Sequence, residues 1–598
     1  MMSRIWRARR EDDGIAMVMI IGVTAVLATL VVAGIALAVG SSRSARQTQD
    51  WNGALAAAYA GVEEYESRLA NDTGYLVFGN PASTFSTPNP SSPSDPANSN
   101  VTLPTGAAAN PAFGLGTSGT WAQVPGSSGG ATFRYEVDNS KYWVDGTLRV
   151  RSTGRVGNET RTIVADLKQL GFIDFLYFTD YEVQDPTAVN PTSTTNCAIH
   201  YPASRPGCTT ISFTTNDSFD GPVHTNDAMH MNGAAQFLGK VTTAYDAPGT
   251  APNYVQTSGS APVFAVTGDP QVTGTIGMPA TNSQLKKETR SDLPNDVPSP
   301  GCLYTGPTSI TFHSDGTMTV ISPWTRFTNT AGDAGTSGSN PSKCGTPGAG
   351  GLARVSGGAY VGQRIAVPAN TVIYVQNVPT TASNVNYTST SPSSRRAPFG
   401  SIDCPSNGNN LGYPMTDETP PFSAAYGCRN GDAFVEGTLE GKLTVAAENY
   451  IYVTDDLTYD TSEDILGLVG NNAVWVWNPM KVSSYWGTTY TPLLGAGDRS
   501  IDAAILSVAH TFMVQNYNRA GYLGRLHVHG AIAQRFRGPV ATGSGGSTPS
   551  TGYLKDYTYD ERFRYTAPPK FLSPVTTTYG VNIWVEVSPV FDAAGAYR

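Results

Sequence analysis

The feature that most constrains this chain is a long uncharged, apolar stretch close to its N-terminus. From Gly14 through Ser42 no residue is charged, and positions 15–39 are almost wholly Ala, Val, Ile, Leu and Met. As a helix rising about 1.5 Å per residue, this stretch more than covers a hydrocarbon layer of about 30 Å. It is also longer than the apolar core of a secretory signal peptide. We therefore predict a transmembrane helix over residues 15–40 that contacts membrane lipid.

Arginines flank this stretch unequally and set its expected orientation. Four arginines precede it, whereas only Arg43 and Arg46 follow it closely. Positively charged residues accumulate on the cytoplasmic side of membrane helices. We therefore expect the short N-terminal segment in the cytoplasm and the remainder of the chain outside it, as a single-pass membrane protein with an extracytoplasmic C-terminal ectodomain.

The cysteines provide an independent indication of compartment. All six lie beyond the apolar stretch, their number is even, and none forms a C-x-x-C pair. This pattern favours disulfides in an oxidising compartment over a zinc site. Pairing in sequence order is the simplest connectivity, although the sequence leaves the others open. The disulfide candidates are Cys197, Cys208, Cys302, Cys344, Cys404 and Cys428.

Composition indicates the fold class and excludes one class of partner. Charged residues make up only 14% of the chain, while 63 Gly and 41 Pro interrupt it often enough to favour short strands and turns. The net charge of -9 is thinly spread, and the basic cluster lies at the extreme N-terminus. A mainly β fold is therefore expected, with no basic surface for nucleic acid.

The residues around Gly14 resemble a known export signal. The sequence R-A-R-R-E-D-D-G followed by I-A-M-V-M-I-I-G-V-T-A-V-L resembles the type IV prepilin signal. The resemblance implies that a prepilin peptidase cuts between Gly14 and Ile15, so that residues 1–14 are a cytoplasmic leader. Major pilins usually begin with Phe and carry Glu at the fifth mature position, where this chain has Ile15 and Met19. In lacking this glutamate, the chain resembles PilX-type minor pilins and GspK-type minor pseudopilins.

Beyond the membrane the helix is expected to continue into a first unit. An apolar stripe recurs at alternating steps of four and three residues, and a stop signal follows at residues 71–74. Residues 80–130 are rich in Pro and Ser and are predicted as a loop, and alternating apolar residues then predict an antiparallel sheet. Helix plus sheet is the pilin-like α+β arrangement, which we place at residues 41–170. The stripe consists of Trp51, Leu55, Ala58, Val62, Tyr65 and Leu69.

Residues 171–598 are predicted as a large β-rich ectodomain. Short apolar runs alternate there with Gly, Asn, Asp and Pro. Asn449, Asn472 and Asn516 are separated by 23 and then 44 residues, which fits a coil of about 22 residues per turn if one rung lacks the asparagine. This spacing favours a right-handed parallel β-helix, and an array of β-sandwiches is the alternative. The segment F-V-E-G-T-L-E-G-K-L-T-V also resembles the large ectodomains attached to PilX-type N-termini in bacterial surface proteins.

Two histidine groups are the best candidates for metal ligands. His224, Asp227 and His230 are close in sequence, but the residues between the histidines have the composition of a turn, and a further ligand at metal spacing is missing. His527 and His529 share a strand face without a third ligand. We therefore expect no metal and no cofactor.

Catalysis and glycan binding have weaker sequence signals. The acidic residues between 455 and 464 could supply paired carboxylates to a polysaccharide-acting enzyme, although acids clustered in a turn are more often only solvated. No G-x-S-x-G, H-E-x-x-H or phosphate loop is present in the sequence. Trp475, Trp477, Tyr485 and Trp486 could bind glycans, or could belong to a β core. We expect no enzymatic activity.

Taken with these patterns, the resemblance to type IV prepilins implies a minor or tip pilin-like subunit of a type IV pilus or related secretion filament, with the ectodomain at the cell surface. Prepilin peptidase and filament subunits are the expected partners, and a surface glycan or host ligand is a further candidate. The alternatives are a membrane-anchored adhesin or glycan-binding protein that joins no filament, and a polysaccharide-acting enzyme.

Overall fold

The protein forms two compact units. The computed structural model describes residues 5–71, 73–86, 101–106, 109–115, 119–127, 130–141, 147–169, 171–187, 194–201, 205–215, 217–266, 268–294, 296–389, 395–400, 402–484, 487–543, 548–564, 566–574 and 579–598. Unit 1 comprises Met1–Gln169 and Tyr579–Arg598, and unit 2 comprises Leu170–Thr578. Unit 2 is thus an insertion in the chain of unit 1.

The described residues form few helices and many short strands, as the Gly and Pro content predicts. The helices are α1 (Ile5–Asn71), α2 (Thr194–Cys197) and α3 (Ser283–Lys287). The first strands are β1 (Ala122–Gln123), β2 (Thr132–Asp138), β3 (Thr147–Val156), β4 (Glu159–Gln169), β5 (Tyr177–Gln184), β6 (Phe213–Thr214), β7 (Ser218–Asp220), β8 (Val223–Thr225), β9 (His230–Asn232), β10 (Gln236–Phe237), β11 (Val241–Thr243), β12 (Val255–Ser258), β13 (Val263–Phe264), β14 (Gln271–Val272), β15 (Cys302–Thr305), β16 (Thr308–His313), β17 (Thr317–Ile321) and β18 (Asn329–Ala331). The later strands are β19 (Ser337–Ser339), β20 (Val355–Ser356), β21 (Ala359–Tyr360), β22 (Gln363–Ala366), β23 (Thr371–Gln376), β24 (Ala433–Leu439), β25 (Lys442–Ala447), β26 (Tyr450–Tyr459), β27 (Ile465–Gly470), β28 (Ala473–Val476), β29 (Met480–Ser483), β30 (Thr489–Pro492), β31 (Arg499–Ser507), β32 (Phe512–Val514), β33 (Tyr522–Arg537), β34 (Ala541–Thr542), β35 (Thr551–Tyr559) and β36 (Tyr579–Val587).

In unit 1 the second half of α1 packs on an antiparallel sheet with the strand order β1-β2-β3-β4-β36. The helix is continuous to Asn71, which confirms that it extends beyond the apolar stretch and ends at the predicted stop signal. Apart from the exposed Trp51 and the half-buried Leu55, the predicted stripe is fully buried, and it faces the alternating apolar residues of β2, β3 and β4.

Two features of unit 1 differ from the sequence-based expectation. The predicted loop 80–130 is largely irregular where it is described, but it contributes Val101, Ala112 and Phe113 to the core. The ectodomain was expected to run to the C-terminus, whereas residues 579–598 belong to unit 1. The reason is that β36 adds to the sheet beside β4, with Tyr579 opposite Gln169.

The C-terminal segment after β36 is held to the same sheet by buried polar groups. The Tyr597 hydroxyl donates to Glu136 Oε1 at 2.7 Å, and Glu136 also accepts two hydrogen bonds from Arg151, at 2.6 and 2.9 Å. Arg155 donates to the carbonyl of Ala593 at 3.0 Å. Because a buried carboxylate needs such partners, these contacts fix the C-terminus on unit 1.

Unit 2 is built from ladders of parallel strands. The longest ladder has the order β15-β23-β25-β27-β31-β33-β5-β8-β11-β14, and every pairing in it is parallel. A second ladder has the order β16-β24-β26-β28-β32, and a third follows β33-β35-β7-β10-β13. Successive strands of the chain therefore enter different ladders, as in a coil, and the pairing is not that of antiparallel sandwiches.

The order of the rungs differs from the order of the chain. The stack begins with β15, proceeds to β33 near the end of unit 2, and then continues with β5, the first strand of the unit. Residues 177–272 therefore form the final rungs. An aromatic row runs through them, since the rings of Phe219, Phe237 and Phe264 stack with centroids 5.3 and 5.0 Å apart.

Asparagines line one turn of the coil, though not the three that the spacing indicated. Asn449 donates to Asn377 Oδ1 and Asn472 donates to Asn449 Oδ1, both at 3.0 Å. The amide of His510 donates to the Asn472 carbonyl on the next rung at 2.9 Å. Asn516 instead has a positive φ of 54°, and its side chain donates to the backbone carbonyl of Asn478, so it is not part of this row of asparagines.

The six cysteines form three disulfides, all within unit 2. Their pairing follows sequence order, which was the simplest of the connectivities left open. The pairs are Cys197–Cys208, Cys302–Cys344 and Cys404–Cys428.

Candidate functional site

The first half of α1 is the most distinctive surface of unit 1. Its large apolar side chains from Met17 to Val39 are between 46% and 75% exposed on all sides of the helix. The segment Ala16–Leu69 contains a stretch long and apolar enough to cross a membrane, judged by length and composition alone, and it is the only helix of this kind among the described residues. A helix that is apolar all round requires apolar surroundings, either lipid or other helices.

The polar side chains Thr24 and Thr29 in this half are compatible with apolar surroundings, because their hydroxyls bond within the helix. Thr24 Oγ1 donates to the carbonyls of Ile20 at 2.8 Å and Ile21 at 3.0 Å, and Thr29 Oγ1 donates to Val26 at 2.8 Å. The hydroxyl protons are therefore satisfied within the helix, as hydrocarbon demands.

Gly14 and Ile15, the expected processing residues, lie in the helical backbone of α1, but their side chains are outside the described set. Residues 1–4 at the start of the expected leader also fall outside it.

The helix first meets the sheet of unit 1 near Gln47. Its amide donates to Glu159 Oε1 at 3.2 Å. One turn later the Trp51 ring lies 4.9 Å from the guanidinium of Arg161, which in turn binds Glu586 on β36 through two hydrogen bonds of 2.7 and 2.6 Å. These contacts mark the point at which α1 passes from a fully exposed helix to one that packs on a sheet.

In the second half of α1 the buried polar groups are paired. The Tyr135 hydroxyl donates to Glu64 Oε2 at 2.7 Å, and Arg68 forms an ion pair with the same carboxylate. Burial raises the pKa of Tyr135 well above its usual value, so the hydroxyl stays a donor. This half is therefore a structural element of unit 1.

His224, Asp227 and His230 do not form a metal centre. Both ring nitrogens of His224 are occupied, by Thr242 Oγ1 at 2.8 Å and by Asn226 Oδ1 at 3.0 Å. Burial lowers the pKa of His224 to about 4, so the ring is neutral. Asp227 accepts hydrogen bonds from backbone amides of neighbouring loop and strand residues and forms an ion pair with Arg205, so it is a structural carboxylate. Within the described residues no group of three His, Cys, Asp or Glu has the geometry of a metal site.

The second histidine pair lies on an exposed face of the coil beside aspartates of the neighbouring rungs. His527 Nδ1 is 2.8 Å from Asp556 Oδ2, and His529 Nδ1 is 3.9 Å from Asp502 Oδ1. Each pair follows from the register, because parallel strands place equivalent positions side by side. The contacts are exposed His–Asp pairs, and surface pairs of this kind contribute little to stability.

The acidic stretch has structural roles where its contacts are described. Asp455 pairs with Arg499 at 2.5 Å, and Asp464 accepts the amides of Gly441 at 2.7 Å and Thr461 at 2.6 Å. These interactions connect successive rungs and turns, and they do not place two carboxylates across a cleft.

The aromatic residues singled out in the sequence divide into two groups. Trp475 and Trp477 are nearly fully buried, and Trp477 Nε1 donates to the hydroxyl of Tyr426 at 3.1 Å. Tyr485 and Trp486 lie outside the described residues. The structure also has a surface groove lined by Phe422, Trp475, Tyr490 and Arg519. Sequence reasoning missed it, because its walls come from three separate segments whose proximity no local pattern records.

Comparison with known proteins gives little further information. Residues 141–245 match a family described as Domain of unknown function (DUF4900), which is a minor part of the chain. No curated protein matches this sequence. Among solved structures, the competence-associated pilin ComZ from Thermus thermophilus aligns over 90% of this chain and 96% of its own, with 10% identity and a TM-score of 0.26. Family membership does not follow. A TM-score this low does not indicate a shared fold.

Proposed function

We propose that this protein is a pilin-like subunit, in a minor or tip position, of a type IV pilus or related secretion filament. The observation that carries the proposal is a single continuous helix with two different halves. The first half is apolar and exposed on all sides, and the second half is buried against an antiparallel sheet. Such a helix can first span a membrane and later pack among the helices of other subunits.

The proposed location is a single-pass membrane protein whose ectodomain lies outside the cytoplasm. The three disulfides of unit 2 support this location, since disulfides persist in oxidising compartments. The arginine excess before the apolar stretch supports the same orientation. The function proposed here is assembly and presentation, without catalysis.

Met19 supports a minor position. In the family that the N-terminus resembles, a glutamate at this place offsets the charged amine of a neighbouring subunit. Met19 cannot do so, and an unpaired ammonium inside an apolar helix bundle costs several kcal/mol. A filament made only of this chain would leave every amine unpaired, so the subunit fits best beside glutamate-bearing pilins.

Processing is tested by mass spectrometry of the mature N-terminus. A new N-terminus at Ile15 is expected, and Gly14→Glu should abolish cleavage while leaving the membrane anchor intact. If the wild-type protein retains Met1 or Met2, as the Gly14→Glu variant is expected to do, processing by a prepilin peptidase is refuted.

The minor position is tested by expressing the chain alone in a host that has a pilus motor. Sheared material should contain no filaments of this chain, whereas co-expression with a glutamate-bearing pilin should place it in filaments at low copy. Regular filaments made solely of this protein would overturn the minor role. A protein that is processed and exposed but never enters filaments would instead be a membrane-anchored adhesin.

A further inference from the structure

An aromatic groove lies on the surface of unit 2. It has a volume of about 350 Å³, and we define it by Phe422, Trp475, Tyr490, Met513, Tyr517 and Arg519. Trp475 and Met513 are nearly buried and form its floor, whereas Phe422 and Tyr490 are half-buried on its walls. No residue of the two histidine groups lines it.

The floor of the aromatic groove is the end of a row that parallel register creates. Phe434, Tyr452, Trp475 and Met513 are consecutive partners across β24, β26, β28 and β32. An arm of residues 402–430, closed by the Cys404–Cys428 disulfide, covers the beginning of this row.

The arm covers the row only as far as Trp475. Within it the Tyr413 ring stacks on Phe434 with centroids 3.8 Å apart, while Phe422 meets Trp475 edge-on at 5.9 Å. The arm therefore stops at Trp475 and provides one wall of the groove.

The other walls come from the β29–β30 hairpin and the loop after β32. The hairpin is attached to the arm, because the Val482 amide donates to Thr419 Oγ1 at 3.1 Å. Across the groove the guanidinium of Arg519 lies 4.1 Å from the centre of the Tyr490 ring. The walls are thus held in place without a ligand.

Several polar groups of the aromatic groove lack hydrogen-bond partners among the described residues. Arg519 forms no ion pair there, and the amide side chain of Asn518, which also lines the groove, forms no hydrogen bond. Trp475 Nε1 is a buried donor with no acceptor. Because the protein covers the Trp475 Nε1 atom, the donors available to a ligand are those of Arg519 and Asn518.

A second cavity of about 500 Å³ shares Tyr517 with the aromatic groove. Its lining includes five threonines and one serine, and its one carboxylate, Asp217, is bound to Lys555 at 2.8 Å. The two cavities together offer aromatic faces followed by a polar, hydroxyl-rich surface. Glycoside hydrolysis needs a pair of carboxylates across the substrate, and the described lining supplies one.

We propose that the aromatic groove binds an oligosaccharide without cleaving it. A sugar ring has an apolar C–H face that stacks on an aromatic ring and a rim of hydroxyls that bond to amide and guanidinium groups. Tyr490 and Phe422 provide the rings, and Arg519 and Asn518 provide the donors. A proline-rich peptide also binds aromatic grooves, but the adjoining hydroxyl-rich cavity favours a polyhydroxylated ligand.

This inference deepens the proposed function by naming the ligand class of the exposed ectodomain. Its test requires only the purified full-length chain in detergent, so a negative result leaves the processing and filament experiments unaffected.

The experiment combines a broad glycan array with isothermal titration calorimetry of the oligosaccharides that bind. Tyr490→Ala and Arg519→Ala should each weaken binding about tenfold or more, since an aromatic or charge-assisted contact contributes about 1–2 kcal/mol and each 1.4 kcal/mol is a factor of ten. Tyr490→Phe should retain binding because it keeps the ring. Tyr522→Ala, which removes an exposed ring that does not line the groove, is the matched control.

A decaproline peptide serves as the rival probe. The proposal is overturned if no glycan on the array binds the protein, or if decaproline binds in a Tyr490-dependent manner and no saccharide does. It is also overturned if the Tyr490→Ala variant binds oligosaccharide as tightly as the Tyr522→Ala variant. Release of shorter saccharides during titration would overturn the non-hydrolytic part.

Discussion

Replacing Gly154 on β3 by alanine tests how closely α1 is held against the sheet of unit 1. A Cβ at this position would lie 2.7 Å from the carbonyl carbon of Ala57 and closer still to backbone atoms of Ala54 and Ala58, where 3.4–4 Å is ordinary contact. All three neighbours are backbone, so no rotamer change relieves the overlap and the helix must move. Overpacking costs about 1–3 kcal/mol, and we expect a loss at the upper end, about 3 kcal/mol.

The loss is measured by pulse proteolysis of the full-length chain in detergent at increasing urea, with peptides from β2 to β4 quantified by mass spectrometry. Two glycines of α1 serve as controls. Gly34 has nothing within 4 Å of its Cβ position, and alanine favours a helix by up to about 1 kcal/mol, so Gly34→Ala should cause no loss. At Gly61 the Cβ would come closest to Ser152 Oγ and would meet the Phe133 ring at 2.9 Å; both neighbours are side chains and not backbone, so an intermediate loss is expected. If Gly154→Ala unfolds at the same urea concentration as wild type, the packing described for α1 is wrong.

Three further predictions concern unit 2. Burial raises the pKa of Asp432 to about 7, so the folded state retains a proton that the unfolded state releases near pH 4. The free energy of unfolding should therefore fall as pH rises from about 4 to 7. In thermal melts the Tm of Asp432→Asn relative to wild type should be higher at pH 8 than at pH 4. Arg537→Met leaves the buried Glu182 unpaired and should cost about 3–5 kcal/mol in urea unfolding, most of which a second change, Glu182→Gln, should restore. Replacing both Cys302 and Cys344 by alanine removes a disulfide that joins residues 42 positions apart, and it should lower the free energy of unfolding by about 4 kcal/mol. An unchanged urea midpoint would contradict this disulfide, and for Arg537→Met it would contradict the ion pair with Glu182.

Local periodicity explains which parts of this fold could be predicted. The apolar stretch, the stripe ending at Leu69 and the alternation in β2 to β4 each depend on residues close in sequence, and all were recovered. The parallel pairing of unit 2 was indicated in part by Asn449 and Asn472, whose side chains bond to each other across 23 residues, whereas Asn516 does not continue their row. In each case the determining interaction repeats at a fixed short interval.

The remaining features depend on pairings between distant segments. Nothing near β36 indicates that it pairs with β4, and nothing in β5 indicates that it follows β33. Asn377 was missed because the arm and a long connection separate it from Asn449. The aromatic groove was missed for the same reason, since Phe422, Tyr490 and Arg519 come from different parts of the chain.

The position of β36 has a consequence for the order in which the protein is completed. Residues 5–169 are synthesised before unit 2, whereas the strand that borders β4 and the Tyr597 that binds Glu136 are synthesised after it. Until then β4 has an unpaired edge, which is prone to aggregation and proteolysis. A chain that stops anywhere within unit 2 can never close that edge. Only chains that extend through β36 close the sheet of unit 1, so its closure distinguishes them from chains that stop within unit 2.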